Sequence, residues 1–247
     1  MAKSKRLQEI IRKNAEFEKE APYNFCDRWC ERCPLETQKR CRLYLEEFER
    51  RITNIAHGRD EDDLEILKED LENKLNELKS NTEQWQEEGY FDFPEFSSND
   101  YDENDNYEEI KKKEEQLQQH PLQVTAENYM HIIHNFLKEA FYPKVESMAQ
   151  DLRSDYEVVA WYHTLLPVKL HLALCDLYAR DRFAEENDIG LCDAVAQLAI
   201  CKKAIKNSHQ ALNNIAQKNT QFKIRIKYFL SLLGNMFSRV ELIEQEI

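Results

Sequence analysis

Apolar residues recur every three or four positions through the second half of the chain, which is the spacing of one face of an α-helix. The pattern is clearest near the C-terminal end, where its apolar positions are Phe222, Ile226, Phe229, Leu233, Met236, Val240, Ile243 and Ile247. Four such stretches predict long helices, at about 124–150, 155–182, 190–216 and 220–246. Because short connections join them, they should form an up-and-down four-helix bundle.

Shorter stretches of the same periodicity predict three helices in the first half of the chain. Residues 4–19 predict an amphipathic helix. A second helix, which should end at Gly58, has its apolar positions at Leu45, Phe48, Ile52 and Ile55. A third follows the acidic residues 60–63, which suit the positive end of a helix dipole. Its apolar positions are Leu64, Leu67, Leu71 and Leu78.

The periodicity is lost over residues 81–107, where glycine, proline, serine, asparagine and aspartate interrupt the pattern. This composition predicts a loop or a linker. Six aromatic residues lie within it, namely Trp85, Tyr90, Phe91, Phe93, Phe96 and Tyr101. They either pin the loop to the body of the protein or form an acidic, aromatic segment that docks a basic protein partner.

Glycine and proline are rare, with 4 and 6 residues in a chain of 247. Because long helices exclude both, the composition predicts an all-α protein. We expect three parts. Residues 1–58 would be a helical cysteine-cluster module that binds metal, residues 59–120 an acidic helix with an acidic-aromatic linker, and residues 121–247 the four-helix bundle.

Uninterrupted apolar runs are too short for the roughly 20 residues of a membrane-spanning helix, and the first residues lack the apolar core of a signal peptide. We therefore expect a cytoplasmic protein without membrane contact, in which structural disulfides are disfavoured. The net charge is −13, and residues 60–109 contain 20 acidic and 3 basic residues. That segment argues against binding of nucleic acid, because contact with phosphates needs lysine and arginine.

Four of the seven cysteines lie within 16 residues, at Cys26, Cys30, Cys33 and Cys41. Thiolates separated by two or three residues can bind one soft metal ion or an iron–sulfur cluster. Pro34 predicts a turn, after which Cys41 would begin the next helix. Basic residues nearby would lower the pKa of the thiols and offset their charge; they are Arg28, Arg32, Lys39, Arg40 and Arg42. The alternatives are two disulfides, which the compartment disfavours, and thiols without metal, which the clustering disfavours.

The first three cysteines have the spacing of the radical S-adenosylmethionine enzymes, but Arg32 replaces the usual aromatic residue and the composition excludes their α/β barrel. The stretch from Cys30-Glu-Arg-Cys33-Pro-Leu to Cys41-Arg-Leu-Tyr44 resembles the cluster loop of WhiB-like regulators and of helical DNA-repair glycosylases. This resemblance covers about 15 residues and implies cysteine ligands to a [4Fe–4S] cluster. The sequence departs from those families in the length of the third spacing between cysteines. Zinc is the alternative, although zinc sites more often have two C-x2-C turns.

Histidines suggest a second candidate site in the bundle. Glu127, His131 and His134 fall on one line of a helix, and His163 lies in the apolar stripe of the next helix. Pro167 would deprive the His163 carbonyl of its helical hydrogen bond and could open a pocket beside Tyr162. Glu157 is a further candidate, although Ser154 and Glu157 also fit a capping box. The alternative is that these residues belong to an ordinary packed core. Cys175, Cys192 and Cys201 fit buried apolar positions.

Three functions fit these features. The first is a metal-binding protein, with a [4Fe–4S] cluster, in redox sensing, electron transfer or regulation. The second is an interaction or scaffold protein in which structural zinc staples the short helices. The third is an enzyme with a histidine-containing pocket in the bundle. The absence of a phosphate-binding glycine loop and of a nucleophile elbow leaves the third without an assigned reaction.

Overall fold

The computed structural model describes residues 4–87, 103–179 and 188–247, and these residues are helical without any β-strand. The all-α prediction is therefore confirmed for them. The helices are α1 (Lys5–Glu20), α2 (Leu35–Gln38), α3 (Arg42–Ala56), α4 (Glu65–Glu87), α5 (Glu103–Gln118), α6 (Pro121–Ala140), α7 (Gln150–Ala179), α8 (Asp188–Lys218) and α9 (Lys223–Glu246).

The chain divides into two compact units. The first unit consists of Met1–Arg32 with Lys111–Ile247, and the second of Cys33–Ile110. The sequence predicts boundaries between three parts at residues 58 and 120. These boundaries differ from those of the two compact units, and they stay predictions. The cysteine stretch contributes Cys26 and Cys30 to the first unit and Cys33 and Cys41 to the second.

In the first unit, α7 packs against α6 and α8, and α9 packs against α8 and α6. The apolar periodicity of these helices explains the packing, because the predicted positions are buried in α9 apart from the partly buried Ile243. Phe229, Leu233 and Met236 of α9 are fully buried, and the Phe229 ring lies 5.4 Å from that of Phe136 on α6. Helix α1 contacts α8, and its Leu7 is buried in the hydrophobic core of this unit.

The first long helix was predicted to reach residue 150, and this prediction is wrong. Helix α6 ends at Ala140, and Tyr142–Ser147 form a 3₁₀ turn before α7 begins at Gln150. Pro143 is the physical reason. Proline lacks the backbone N–H of a helix and disfavours the helical conformation of the residue before it.

The prediction of a loop over residues 81–107 is also wrong at both ends of that range, because α4 continues to Glu87 and α5 begins at Glu103. The polar residues at these ends are mainly glutamate, glutamine and asparagine, and the first two are good helix formers. Residues 88–102, with most of the predicted aromatic segment, lie outside the described residues.

In the second unit, α3 contacts α4, and Asn54 fixes the turn between them. The Asn54 side chain is fully buried, and its Nδ2 donates to the carbonyl oxygens of Glu61 and Asp63 at 3.1 and 2.8 Å. Gly58 takes a left-handed φ of 69°, which glycine adopts without strain. The predicted end of the helix at Gly58 is thereby confirmed to within two residues.

Candidate functional site

The cysteine-bearing segment of the first unit leaves α1 through a tight turn. Helix α1 ends at Glu20, Pro22–Asn24 form a 3₁₀ turn, and the Cys26 Sγ donates to the Tyr23 carbonyl oxygen at 3.6 Å. Arg28, which lies between the two cysteines, has a left-handed φ of 58°. Cys30 then opens a second 3₁₀ turn.

Asp27, which lies between these cysteines, fastens the segment to α7 and α8. Its carboxylate accepts hydrogen bonds from the Tyr162 hydroxyl at 2.6 Å and the Lys203 ammonium at 2.8 Å. Its backbone carbonyl accepts one from the Trp161 Nε1 at 3.0 Å. We call Asp27 with Tyr162, Trp161 and Lys203 the Asp27 anchor.

The charge of Asp27 is stabilised although its side chain is only 11 % exposed. Burial opposes ionisation, but the bonds from Lys203 and Tyr162 outweigh it, so the pKa of Asp27 lies below its ordinary value. The same carboxylate and, above all, burial raise the pKa of Tyr162, which therefore stays a hydrogen-bond donor. The anchor is consequently a charge-assisted contact, a class of hydrogen bond about twice as strong as a neutral one.

Two further contacts continue the attachment beyond Asp27. The Trp29 indole stacks on that of Trp161, with 5.2 Å between ring centroids and 18° between planes. The Arg32 guanidinium lies 4.0 Å from the Trp29 centroid and bonds Glu157 at 3.0 Å and Ser154 at 3.2 Å. Residues 27–32 are therefore held on α7 at three places.

The interaction of Glu157 with Arg32 and Arg153 corrects two sequence-based expectations. Because α7 begins at Gln150, Ser154 and Glu157 lie inside the helix and form no capping box. Glu157 pairs with Arg153 at 2.8 Å as well as with Arg32. It faces the cysteine segment, so it is not part of a histidine pocket.

In the second unit, the other two cysteines lie at the starts of helices. The Cys33 carbonyl accepts a hydrogen bond from the Gln38 side chain at 3.2 Å, and Pro34 precedes α2. Cys41 is 8 % exposed and directly precedes α3, close to its predicted place in the first turn. The nearby Lys39 and Arg42 pair with Glu36 and Glu46, at 3.0 and 2.7 Å.

No disulfide joins any of the seven cysteines, all of which lie in the described residues. In residues 4–87, 103–179 and 188–247, no three histidine, cysteine, aspartate or glutamate side chains are placed so that they could hold one metal ion. The assignment of Cys26, Cys30, Cys33 and Cys41 as ligands therefore rests on their spacing along the chain, and it stays a prediction.

Lys169 of α7 is a charged neighbour of Cys26 that the sequence did not reveal. Burial lowers the pKa of Lys169, and Arg28 lowers it further, while Cys26 and Asp27 act in the opposite direction. Cys201 is fully buried, and burial raises its pKa to about 12. Cys201 is therefore a neutral thiol in the core, as predicted, and Cys192 is also buried.

Cys175 departs from the prediction of a buried apolar residue. Its side chain is partly exposed, and its sulfur lies 3.5 Å from the Nε2 of His171. Burial and the carboxylates of Asp176 and Glu114 raise the pKa of Cys175. The thiol form is thereby favoured over the nucleophilic thiolate.

Of the five residues proposed for the histidine pocket, the structure brings two together. The rings of His134 and His163 stack with 5.9 Å between centroids. His131 is exposed, and Glu127 accepts a hydrogen bond from Gln123 at 2.8 Å on its own helix. The geometry thus offers a pair of imidazoles across α6 and α7.

His163 is 3 % exposed, and its Nδ1 lies 2.7 Å from the Ala160 carbonyl oxygen. Because a carbonyl only accepts, Nδ1 carries the proton and Nε2 keeps a lone pair. Nε2 has no hydrogen-bond partner among the described residues. Burial lowers the pKa of His163 and His134 lowers it further, although the bond to Ala160 opposes both.

The Asp27 anchor was missed by sequence reasoning. Asp27 is 135 positions from Tyr162 and further from Lys203, so no local spacing relates them. Tyr162 and Trp161 occupy ordinary helix positions, and Asp27 is one of many acidic residues. The contact follows from how the segment after α1 folds back on α7 and α8.

The chain matches no family model, no curated protein and no solved structure. Within α7, Gln150–Leu177 is long and apolar enough to cross a membrane, by length and composition alone, and 44 % of its most apolar window is buried in the protein. A core helix passes the same test. The expected cytoplasmic location and lack of membrane contact stay predictions.

Proposed function

We propose that this chain is a metal-binding helical protein in which Cys26, Cys30, Cys33 and Cys41 hold a [4Fe–4S] cluster. Its role would be redox sensing, electron transfer or regulation. The observation that carries the proposal is the spacing of four cysteines within 16 residues, with no disulfide among them. Four thiolates are the usual ligand set of such a cluster.

None of the four cysteines lies inside an α-helix. Cys26 follows one 3₁₀ turn, Cys30 begins another, Cys33 precedes Pro34, and Cys41 precedes α3. Residues outside regular helices can rearrange when a metal binds, because metal binding is commonly coupled to folding. When bound, the cluster would supply one-electron redox chemistry.

The helices α6–α9 supply the scaffold in this proposal, as an up-and-down four-helix bundle that carries Cys26 and Cys30 on the Asp27 anchor. A protein partner is part of the proposal, because sensing and electron transfer both need one. A structural zinc ion bound by the same cysteines is the second candidate, because Cys30 and Cys33 have the C-x2-C spacing of one of the two turns that zinc sites more often contain.

Anaerobic purification of the full chain, followed by analysis of iron, sulfide and zinc and an absorption spectrum, tests the proposal. We expect about four irons and four sulfides per chain, as the cluster formula requires, and their loss from Cys33→Ala. The control is Cys175→Ala, which removes a partly exposed thiol outside the stretch and should keep the metal. One zinc, lost in the same variant, would establish the zinc candidate, and full metal content in Cys33→Ala would contradict both.

A further inference from the structure

We infer that a groove between α1 and α8 is a binding site for a small amine, a molecule with an apolar body and one ammonium group. The groove has a volume of about 310 Å³, at the lower end of the range of about 300–1,000 Å³ for small-molecule sites. All of its lining residues belong to the first unit. The site therefore depends neither on the second unit nor on the proposed metal centre.

Small side chains leave the space for this groove. Helix α1 contacts α8, and three alanines line the groove between them, namely Ala15 of α1 with Ala196 and Ala199 of α8. Each contributes only a methyl group, whereas Ile11 and Phe25 supply larger apolar surfaces of the lining. A mostly apolar wall with a few polar groups is typical of sites that bind small organic molecules.

A buried hydrogen-bond acceptor of the groove lacks a partner. Asn14 belongs to the lining and is 7 % exposed. Its Nδ2 donates to the Cys192 carbonyl oxygen at 2.8 Å, and this bond sets the orientation of the amide because a carbonyl oxygen only accepts. The Asn14 Oδ1 has no hydrogen-bond partner among the described residues. A buried acceptor without a partner is unfavourable, so a ligand that donates to Oδ1 removes that cost.

The charged groups of the groove select a cation. Glu18 lines the groove, is exposed, and has no ion-pair partner in the part of the chain that the structure describes. Lys203 lines it as well, but the Lys203 ammonium bonds the Asp27 carboxylate at 2.8 Å, so its charge is already compensated. The groups left for a ligand are an amide oxygen and a carboxylate, which both accept hydrogen bonds. An ammonium group offers three donors and the complementary charge.

Helical spacing brings these groups within reach of one ligand. Asn14 and Glu18 are four residues apart on α1, and side chains at this spacing are neighbours with about 5–6 Å between Cβ atoms. Ile11 and Ala15 line the groove from the same face of the helix. An ammonium group can therefore approach Asn14 and Glu18 while the apolar body packs along Ile11 and Ala15.

The test is a titration of the ¹⁵N-labelled full chain with hexylamine, which is protonated at neutral pH, followed by the chemical shifts of the backbone amides. Hexan-1-ol and hexanoate are the matched ligands, because they attach a neutral donor and a negative charge to the same kind of alkyl body. We expect saturable shifts in α1 and α8 with hexylamine, weaker binding of hexan-1-ol and the weakest binding of hexanoate.

A change of charge at Glu18 tests the selection of a cation. Glu18→Gln should weaken hexylamine binding by about 2- to 5-fold, the range of an exposed ion pair, and leave hexan-1-ol binding unchanged. Glu16→Gln is the matched control, because Glu16 lies on the same helix but pairs with Arg12 and does not line the groove. It should bind hexylamine as the wild type does.

Two further substitutions test the space and the acceptor. Ala199 is exposed on α8, so Ala199→Leu should fold normally, fill the groove and abolish binding of hexylamine, whereas Ala199→Ser keeps the space and should retain it. Asn14→Leu removes the acceptor and should weaken both hexylamine and hexan-1-ol by about 3- to 10-fold. Circular dichroism checks that each variant is folded.

Saturable hexylamine binding that is lost in Ala199→Leu, weaker in Glu18→Gln and unchanged in Glu16→Gln supports the inference. Absence of saturable binding to the wild type overturns it, and so does undiminished binding to Ala199→Leu, which would show that the ligand lies elsewhere. Equal or tighter binding of hexan-1-ol or hexanoate overturns the assignment of an amine. If Asn14→Leu does not fold, the Ala199 and Glu18 variants decide alone.

Discussion

At the scale of single residues, His163 occupies a core position where its protonated form is disfavoured. Its Nδ1 donates to Ala160, and burial together with the stacked His134 holds its pKa below the ordinary 6.5. The unfolded chain gains a proton near pH 6.5 whereas the folded protein stays neutral. His163 therefore stabilises the fold fully above pH 6.5, and this contribution is lost as the pH falls below that value.

We predict that replacing His163 with glutamine reduces the acid sensitivity of the fold. Urea unfolding from about pH 7.5 to about pH 5 should show a smaller decrease in unfolding free energy for His163→Gln than for the wild type. Leu166→Val removes one methylene group from the same core and changes no titratable group. It should therefore keep the wild-type dependence of the unfolding free energy on pH. Parallel curves for the wild type and His163→Gln would show that the imidazole is protonated as easily in the folded state as in the unfolded chain.

The candidate residues also show what a sequence can and cannot predict. The positions of His134 and His163 on apolar helix faces follow from the 3.6-residue period, and they do meet. Glu127, His131 and Glu157 share a helix with one of the two histidines, but their side chains bond elsewhere or face solvent. Helical spacing fixes which residues share a face and leaves open which face meets which neighbour.

At the scale of helices, a buried ion pair joins α8 to α9. The Lys202 ammonium bonds the Glu244 carboxylate at 2.6 Å, and the two side chains are 19 % and 9 % exposed. Removing one member of a buried pair leaves the other charge without compensation, which costs more than the pair itself contributes. The sequence does not predict this contact. Glu244 lies within an apolar stripe of its helix, and Lys202 is 42 residues away along the chain.

We predict that Glu244→Gln lowers the free energy of unfolding by about 2 kcal/mol, measured by urea denaturation. The double variant Lys202→Met with Glu244→Leu should recover most of this loss, since neither side chain then needs a partner. Glu16→Gln is the control, because Glu16 pairs with Arg12 on the surface, at 60 % and 65 % exposure. It should change stability by less than about 0.5 kcal/mol, and an equal loss in both single variants would contradict the buried character of the α8–α9 pair.

Helix boundaries show where periodicity was sufficient. The last long helix was predicted at 220–246, and α9 occupies Lys223–Glu246 after a 3₁₀ turn. Helix α6 ended ten residues early, because Pro143 overrides an apolar pattern that continues past it. The prediction is wrong there because it uses only the pattern of apolar side chains. That pattern does not show that proline lacks the backbone N–H group that a helix needs.

At the scale of the whole molecule, the sequence predicts an all-α chain because it is poor in glycine and proline, and the described residues are helical. It could not predict that the contacts divide the cysteine stretch between Arg32 and Cys33. That division depends on long-range contacts of Asp27, Trp29 and Arg32, which no local pattern records. The docking role of residues 81–107 stays a prediction, because most of that segment lies outside the described residues.

X-ray absorption at the edge of the metal in the purified full chain tests most directly the proposal that the four clustered cysteines ligate one metal centre. We expect a first shell of sulfur alone, at about 2.3 Å, with a second shell of iron if the centre is a [4Fe–4S] cluster. A first shell of nitrogen and oxygen at about 2.0–2.2 Å would contradict this proposal. It would show that histidine or carboxylate side chains ligate the metal instead of the cysteines.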